Sequence, residues 1–525
     1  MEEHTQQLTP VATSLIDAYI SKETPNHDSK ISVNRFVSEI ASWYEKLRNS
    51  MDIRDDEIVL RAAIERILKR RLLLGGTGTK IAEPLVRELL WAKYFPDNSI
   101  SESTIHQVAD IIDIYLDLKI RVIQQNNFSE NVLNEWVRQL ISCQLAKFLN
   151  PKIEKELMSN FVFHILKNRL QIVDDNEDNK NIQMFIAVRR AFAKDDIAFL
   201  RYYLFRQLFG EINRENVGEI AEHFKSGYEE IERQLHYPIK EKVYLYVKRQ
   251  TPVFFIMEDV FTKYKGNLLS FVQNKEEFEK AIFTACETKY KGISSKVRAA
   301  IIKSVFFLLL TKAVIAYGVE YVYGLIRQEA LNMPQLIVNI VSPPLIMIIV
   351  SLFIRPPSQE NSKRILKRIN SLLYDEYPDL GQSPKLRLHP EKKMTILNTT
   401  FTLLWMVGFV ISFGFVIYLL SRFGFNLLNQ GLFIFFLTIV AFLAYRINLS
   451  ANMYKIEEKQ GLFTPIIDFF FLPIIRVGMR LTDGISQINI LIFVFDFLIE
   501  APFKSIFSFI EKWFVYLHTK REDLG

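Results

Sequence analysis

The chain has 525 residues, 49% of them hydrophobic and 24% charged, with a net charge of +6. That length admits more than one domain, and a net charge so modest and diffuse gives no argument for a nucleic-acid binder. Only Cys143 and Cys286 occur, which excludes a disulfide framework and a cysteine-rich metal site.

Residues 1–30, MEEHTQQLTPVATSLIDAYISKETPNHDSK, are polar and are expected to lack fixed structure. They have neither the basic start nor the apolar core of a signal peptide, so the residues up to 300 are expected to stay in the cytoplasm. Residues 31–300 read as helix after helix, with apolar positions at three- and four-residue steps, as in Phe36, Ile40, Trp43 and Leu47. Further helices are expected over Ile58–Leu74, Ser103–Gln124, Glu130–Phe148, Pro151–Leu170, Asn181–Phe209, Ile220–Leu235, Val253–Val272 and Glu276–Thr288. EKVYLYVK, Glu241–Lys248, is the one fair strand pattern. The acidic run DDNEDNKN, Asp174–Asn181, reads as a solvated turn dividing subdomains 31–175 and 176–300. No fixed period recurs, so a solenoid of regular modules is not expected.

GGTGTK, Gly75–Lys80, invites comparison with a phosphate-binding loop. Such a loop follows a strand and ends Gly-Lys-Ser/Thr. Here a basic helix precedes it, Thr79 separates Gly78 from Lys80, and Ile81 stands where the magnesium-binding hydroxyl belongs. The stretch is better read as a helix end at Gly75, with Lys69, Arg70 and Arg71 at the negative end of the dipole and a new helix beginning near Pro84. The eight histidines are scattered, and Glu219, Glu222 and His223 read as a solvated helix face. No catalytic constellation, cofactor motif or metal site is identified, so no cofactor is expected.

Beyond residue 300 the chain turns apolar. Four segments have the roughly 20 residues needed to cross a bilayer core: 304–326, 334–354, 396–420 and 427–447. Nine cations lie in the loop 355–395, namely Arg355, Lys363, Arg364, Lys367, Arg368, Lys385, Arg387, Lys392 and Lys393. The turns 327–333 and 421–426 hold one each, Arg327 and Arg422. Positive charge stays inside, so both termini and the long loop are expected in the cytoplasm, and the protein in the plasma (cytoplasmic) membrane. Residues 449–525 read as an amphipathic region that lies on the membrane or re-enters it, because LFTPIIDFFFLPII and INILIFVFDFLI are short and carry Asp468 and Asp496.

The fold class expected is therefore all-α: a large cytoplasmic helical region, a four-helix transmembrane region over 301–448, and C-terminal amphipathic or re-entrant helices. Inside the spans, Lys312, Glu320 and Asn339 are candidate functional residues, since polar groups are costly in lipid. Pro343 and Pro344 are added because prolines break helices at transporter sites. Gly408 and Ser412 form a small-residue pair suited to close helix packing. Lys289, Lys291, Lys296, Arg298, Lys303, Lys363, Arg364, Lys367 and Arg368 are candidate contacts for anionic lipid headgroups. The leading functional expectation is a non-enzymatic scaffold or assembly factor that docks a protein partner, or a second copy, at the membrane. A pore or transporter is the alternative. No nucleic-acid partner is expected.

Overall fold

The computed structural model describes residues 8–20, 38–39, 56–73, 76–126, 128–327, 333–354, 356–378, 380–381, 383–388, 392–456 and 464–487. These residues are almost all helical and fall into two compact units, 10–248 with 383–388, and 249–381 with 392–487.

The first unit starts with α1 (Pro10–Ile20), within the stretch expected to lack structure. Ala12, Leu15, Ile16 and Tyr19 recur at helical spacing and are buried, and α1 packs on α6. The Tyr19 hydroxyl donates to the Glu154 carbonyl at 3.0 Å. Then come α2 (Asp56–Leu73), α3 (Gly78–Trp91), α4 (Glu102–Asn126), α5 (Glu130–Leu149) and α6 (Ile153–Leu166). After the short strand β1 (Gln171–Val173), the unit continues with α7 (Glu177–Val188), a π-helical turn (Arg189–Ala193), α8 (Ile197–Phe209) and α9 (Val217–Leu235). β1 pairs in parallel with β2 (Lys385–Arg387).

One hydrophobic core runs from Ile58 to Leu235, so it continues across residue 175. Its centre includes Leu68, Leu89, Ile112, Leu140, Phe199 and Phe205, all fully or almost fully buried. The acidic run near 175 opens a helix inside this unit. The Asn176 side chain accepts from the Asn179 amide at 2.7 Å, and Glu177 and Asp178 occupy the favourable first turn of α7.

α10 (Lys240–Lys263) contains EKVYLYVK, which is helix and not strand. Val243 and Val247 are both fully buried, four residues apart, so the burial follows the helical period. The second unit then adds α11 (Leu268–Gln273), α12 (Lys275–Arg327), α13 (Met333–Ser351), α14 (Gln359–Tyr374), α15 (Lys392–Arg422), α16 (Leu427–Ala451) and α17 (Thr464–Gln487). α12 has 53 residues, a length of about 80 Å. Within the basic loop, α14 is an amphipathic helix that buries Ile365, Ile369, Leu372 and Leu373. Asn361 ties its start to the rest of the unit. Its amide nitrogen donates to the Tyr290 hydroxyl (2.7 Å) and the Tyr454 carbonyl (2.8 Å), and its oxygen accepts from the Ile456 amide (2.9 Å).

α16 packs against α12, α13 and α17, and α17 also packs on α15. Backbones meet where residues are small. A Cβ on Gly478 would lie 2.0 Å from the Thr438 carbonyl oxygen. Gly408 faces the Phe469 ring, and the Ser412 hydroxyl sits 2.7 Å from the Gly408 carbonyl and 2.9 Å from that of Phe470. Among the described residues two helical segments, not four, are long and apolar enough to cross a membrane: Thr399–Arg422 and Leu427–Ala451. A shorter apolar stretch, Ile340–Ser351, lies in α13. Residues 488–525, including INILIFVFDFLI, lie outside the described residues.

The first unit carries charge in its interior. Arg189 is fully buried and donates to Asp195 at 2.5 Å and to Glu156 at 2.7 and 3.2 Å. Lys147 also reaches Glu156, and Lys147 and Lys155 flank Glu57 at 2.8 and 3.1 Å. Burial alone would raise the Glu156 pKa, but the Arg189 and Lys147 charges and the hydrogen bonds from Lys147 and Tyr203 hold it at about 2. A carboxylate depressed this way stabilises the fold above its unfolded value near 4.5 and loses that contribution as pH falls towards 2. The loss expected is roughly 3 kcal/mol over that window. Thermal unfolding of the full chain in detergent, followed from pH 5 to pH 2.5, should show it, with Glu156→Gln weakening the pH dependence by about one proton.

Candidate functional site

GGTGTK is assembled from packing, not from ligand chemistry. Leu74 and Gly75 lie outside the described residues, so the helix end expected at Gly75 is not tested. The next helix begins at Gly78, six residues before Pro84, which lies inside α3. The Gly78 amide donates to the Asp113 carboxylate of α4 at 2.6 Å. A carboxylate thus holds the end of α3 where a phosphate loop would hold an anion. A Cβ on Gly78 would lie 2.1 Å from the Ala109 carbonyl oxygen, so the glycine lets α3 meet α4. Arg70 and Arg71 both donate to Glu88 of α3, at 2.7 and 2.5 Å, which clamps the two helices across the break. Glu219, Glu222 and His223 lie on an exposed face of α9, and among the described residues no group of His, Cys, Asp and Glu is placed to hold a metal.

Lys312 is the residue that the packing isolates. It lies on α12, is 0% exposed, and directs its ammonium towards α16. Nζ is 4.9 Å from the centre of the Phe436 ring and 5.3 Å from that of Phe433. No hydrogen-bond partner meets it among the described residues. Snorkelling along the lipid-facing side of the helix is therefore not what the side chain does, because α16 covers that face of α12. Cation–π contacts are worth about 0.5–2 kcal/mol. Removing an ammonium from water costs several kcal/mol. The rings offset only part of that cost.

Pro343 and Pro344 are buried in α13, which packs on both α12 and α16. The helix runs through them without interruption, so it is not broken. Their missing N–H groups still deprive the Asn339 and Ile340 carbonyls of their usual helical donors. The backbones of Glu320 and Asn339 are helical, and their side chains lie outside the described residues.

The nine basic candidates divide. Lys289 pairs with Asp259 at 2.6 Å, Lys291 with Glu287 at 2.7 Å and Arg364 with Glu360 at 2.7 Å. Arg368 donates to Gln250 at 3.1 Å. Lys296, Arg298, Lys303, Lys363 and Lys367 are exposed.

Sequence reasoning did not find the Arg189 cluster. Its members come from α2, α5, α6 and the π turn, and Lys194 closes that turn in the left-handed region at φ 59°. The signal present in the sequence was a pair of adjacent acids, Asp195-Asp196, at a helix start, and only Asp195 of that pair belongs to the cluster. Asp195 holds Arg189, while Asp196 caps α8 and accepts from Arg61 at 2.8 Å. Compared with known protein families, curated proteins and solved structures, the chain matches none.

Gly78→Ala should lower unfolding stability by about 1–3 kcal/mol, the usual cost of forcing extra volume into packed backbone. Gly76→Ala, whose Cβ would meet side chains and no backbone, the nearest Ile81 at 3.3 Å, should cost less. Denaturant unfolding of both variants in detergent checks the ranking.

Proposed function

We propose that this chain is a multi-pass integral membrane protein, with α15 and α16 crossing the bilayer and the α12–α13 hairpin entering it as the other two of four spans. The observation that carries this reading is apolar surface left uncovered by the described residues. Val410 is 73% exposed, Phe415 61% and Phe306 68%, and Leu345, Leu352 and Phe353 extend the same character along and just beyond α13. Water would have to wet all of it, at about 25 cal/mol per Å². Exposed patches of this size mark a membrane or a partner. The cytoplasmic side is then the side of Lys296, Arg298, Lys303, Lys363 and Lys367, in contact with anionic headgroups of the plasma membrane.

On that side, residues 10–248 form a scaffold that docks a protein partner or a second copy. Support comes from Ile120 and Ile123 near the end of α4 and Val132 near the start of α5, three large apolar side chains exposed at one end of a helical hairpin. A pore or transporter is the second reading, and the buried cation Lys312 favours it.

Cysteine labelling tests the topology. Burial pushes the Cys143 and Cys286 thiols up, so the native background is unreactive. In intact cells a membrane-impermeant maleimide should label Phe423→Cys and leave Lys363→Cys untouched; the reverse pattern would refute the sidedness. The scaffold reading is tested by cross-linking in native membranes. A discrete adduct should form with the wild type and disappear with Ile120→Asp/Ile123→Asp, and an adduct unchanged by those substitutions would sink the docking site.

A further inference from the structure

We infer that Lys312 binds a small soluble anion, of the size of chloride or a short carboxylate, inside the helical bundle between α12 and α16. This goes beyond the scaffold reading, because it concerns what neutralises a charge within the bundle.

An ammonium carries three donors and needs acceptors for them. Nζ of Lys312 has none among the described residues, although the side chain is wholly buried. Helices α13, α15 and α16 contain no Asp or Glu, so none of them can supply a countercharge; α17, which packs on α16, carries Asp468 and Asp483, whose side chains lie outside the described residues. On α12 the nearest acidic residue in the apolar direction is Glu320, eight residues on, which is about 12 Å along the axis. Side chains on a helix lean towards its N-terminus, which turns Lys312 away from that end. In the other direction the nearest acid is Glu287, far outside the apolar stretch and already paired with Lys291. Among the described residues no carboxylate meets Nζ, so the countercharge inferred for it is one that comes from solution.

The surroundings define what fits. Phe433 and Phe436 present ring faces to the ammonium and ring edges, which are positive, to their sides. An anion seated on Nζ would gain from the cation on the side that the rings leave open. Full burial favours one small anion over a bulky one, and places the site about 13 Å along α12 from Lys303, the last exposed cation. Pro343-Pro344 remove two intrahelical donors from the adjoining α13, which weakens its ladder beside the site.

The test reads binding, not flux, so it is independent of whether anything crosses the membrane. Full-length protein is reconstituted in phosphatidylcholine vesicles, and its thermal midpoint is measured as chloride or acetate replaces gluconate at constant ionic strength. The expected result is a saturable rise of a few degrees in the wild type, as ligand linkage requires. It should be absent in Lys312→Met, reduced in Lys312→Arg and intact in Lys303→Met. Replacing a buried charge by a similar apolar side chain is usually tolerated, so Lys312→Met should fold. If it does not, saturation in the wild type together with an altered half-saturating concentration in Phe436→Leu carries the same conclusion. Equal responses in wild type and Lys312→Met, or no saturation in the wild type, would overturn it. So would a midpoint insensitive to chloride and acetate but raised by doping the vesicles with anionic lipid, which would assign Lys312 to a headgroup instead.

Discussion

Arg189 has almost no access to water, and three helical segments are arranged around the two carboxylates that neutralise it. Asp195 lies just beyond the π turn that carries Arg189, and Glu156 comes from α6. The turn's extra residue per hydrogen-bonded ring, followed by Lys194 in the left-handed region, lets Asp195 fold back six positions to Arg189. Tyr203 adds a hydroxyl to Glu156 and a ring 3.8 Å from the guanidinium. Lys147 then links Glu156 to Glu57, and Lys155 balances Glu57. Three cations and three anions thus close a neutral cluster. Removing one member would leave a buried charge unpaired, which typically costs 3–5 kcal/mol. The relation between α2, α5, α6 and α8 is set by that balance as much as by the surrounding apolar core.

The same constraint gives Lys312 its meaning. In the unit of residues 10–248 the buried charges Glu57, Arg61, Arg189 and Asp195 each meet an opposite charge from another segment. In the α12–α17 bundle, Lys312 faces two aromatic rings and no acceptor among the described residues. One unit uses its buried charges to hold segments together. The other keeps one buried charge with no countercharge among the described residues, and that asymmetry marks Lys312 as the candidate.

The bundle itself depends on close backbone approach. α16 meets α12, α13 and α17, and α17 reaches α16 where Gly478 sits against Thr438. Gly408 and Ser412 could be read in the sequence as a packing pair, but their partner could not, because α17 follows only after α15 and α16. α17 carries Arg476 and Arg480 and is not apolar enough to resemble a span, yet it packs along two helices that are. The basic loop read as topology control turned out to contain α14, whose apolar side is buried while Lys363 and Lys367 stay outside. Charge density hid a helical period that Ile365, Ile369 and Leu372 already carried.

The sequence alone determined what depends on neighbours in the chain. The all-α class, most helix positions, the long apolar helices α15 and α16, and the failure of GGTGTK as a phosphate loop all follow from local period and local spacing. It misread EKVYLYVK, because eight residues do not distinguish alternation from a helical stripe when the burial that decides lies on other elements. Only tertiary structure decided that Gly78 is a contact point for Ala109 and Asp113. It alone decided that Arg189 is matched and that Lys312 is covered by α16 with no matching charge among the described residues. These are properties of distance and burial between residues tens to more than a hundred positions apart. Desolvation turns such distances into energy, and no spacing along the chain encodes them.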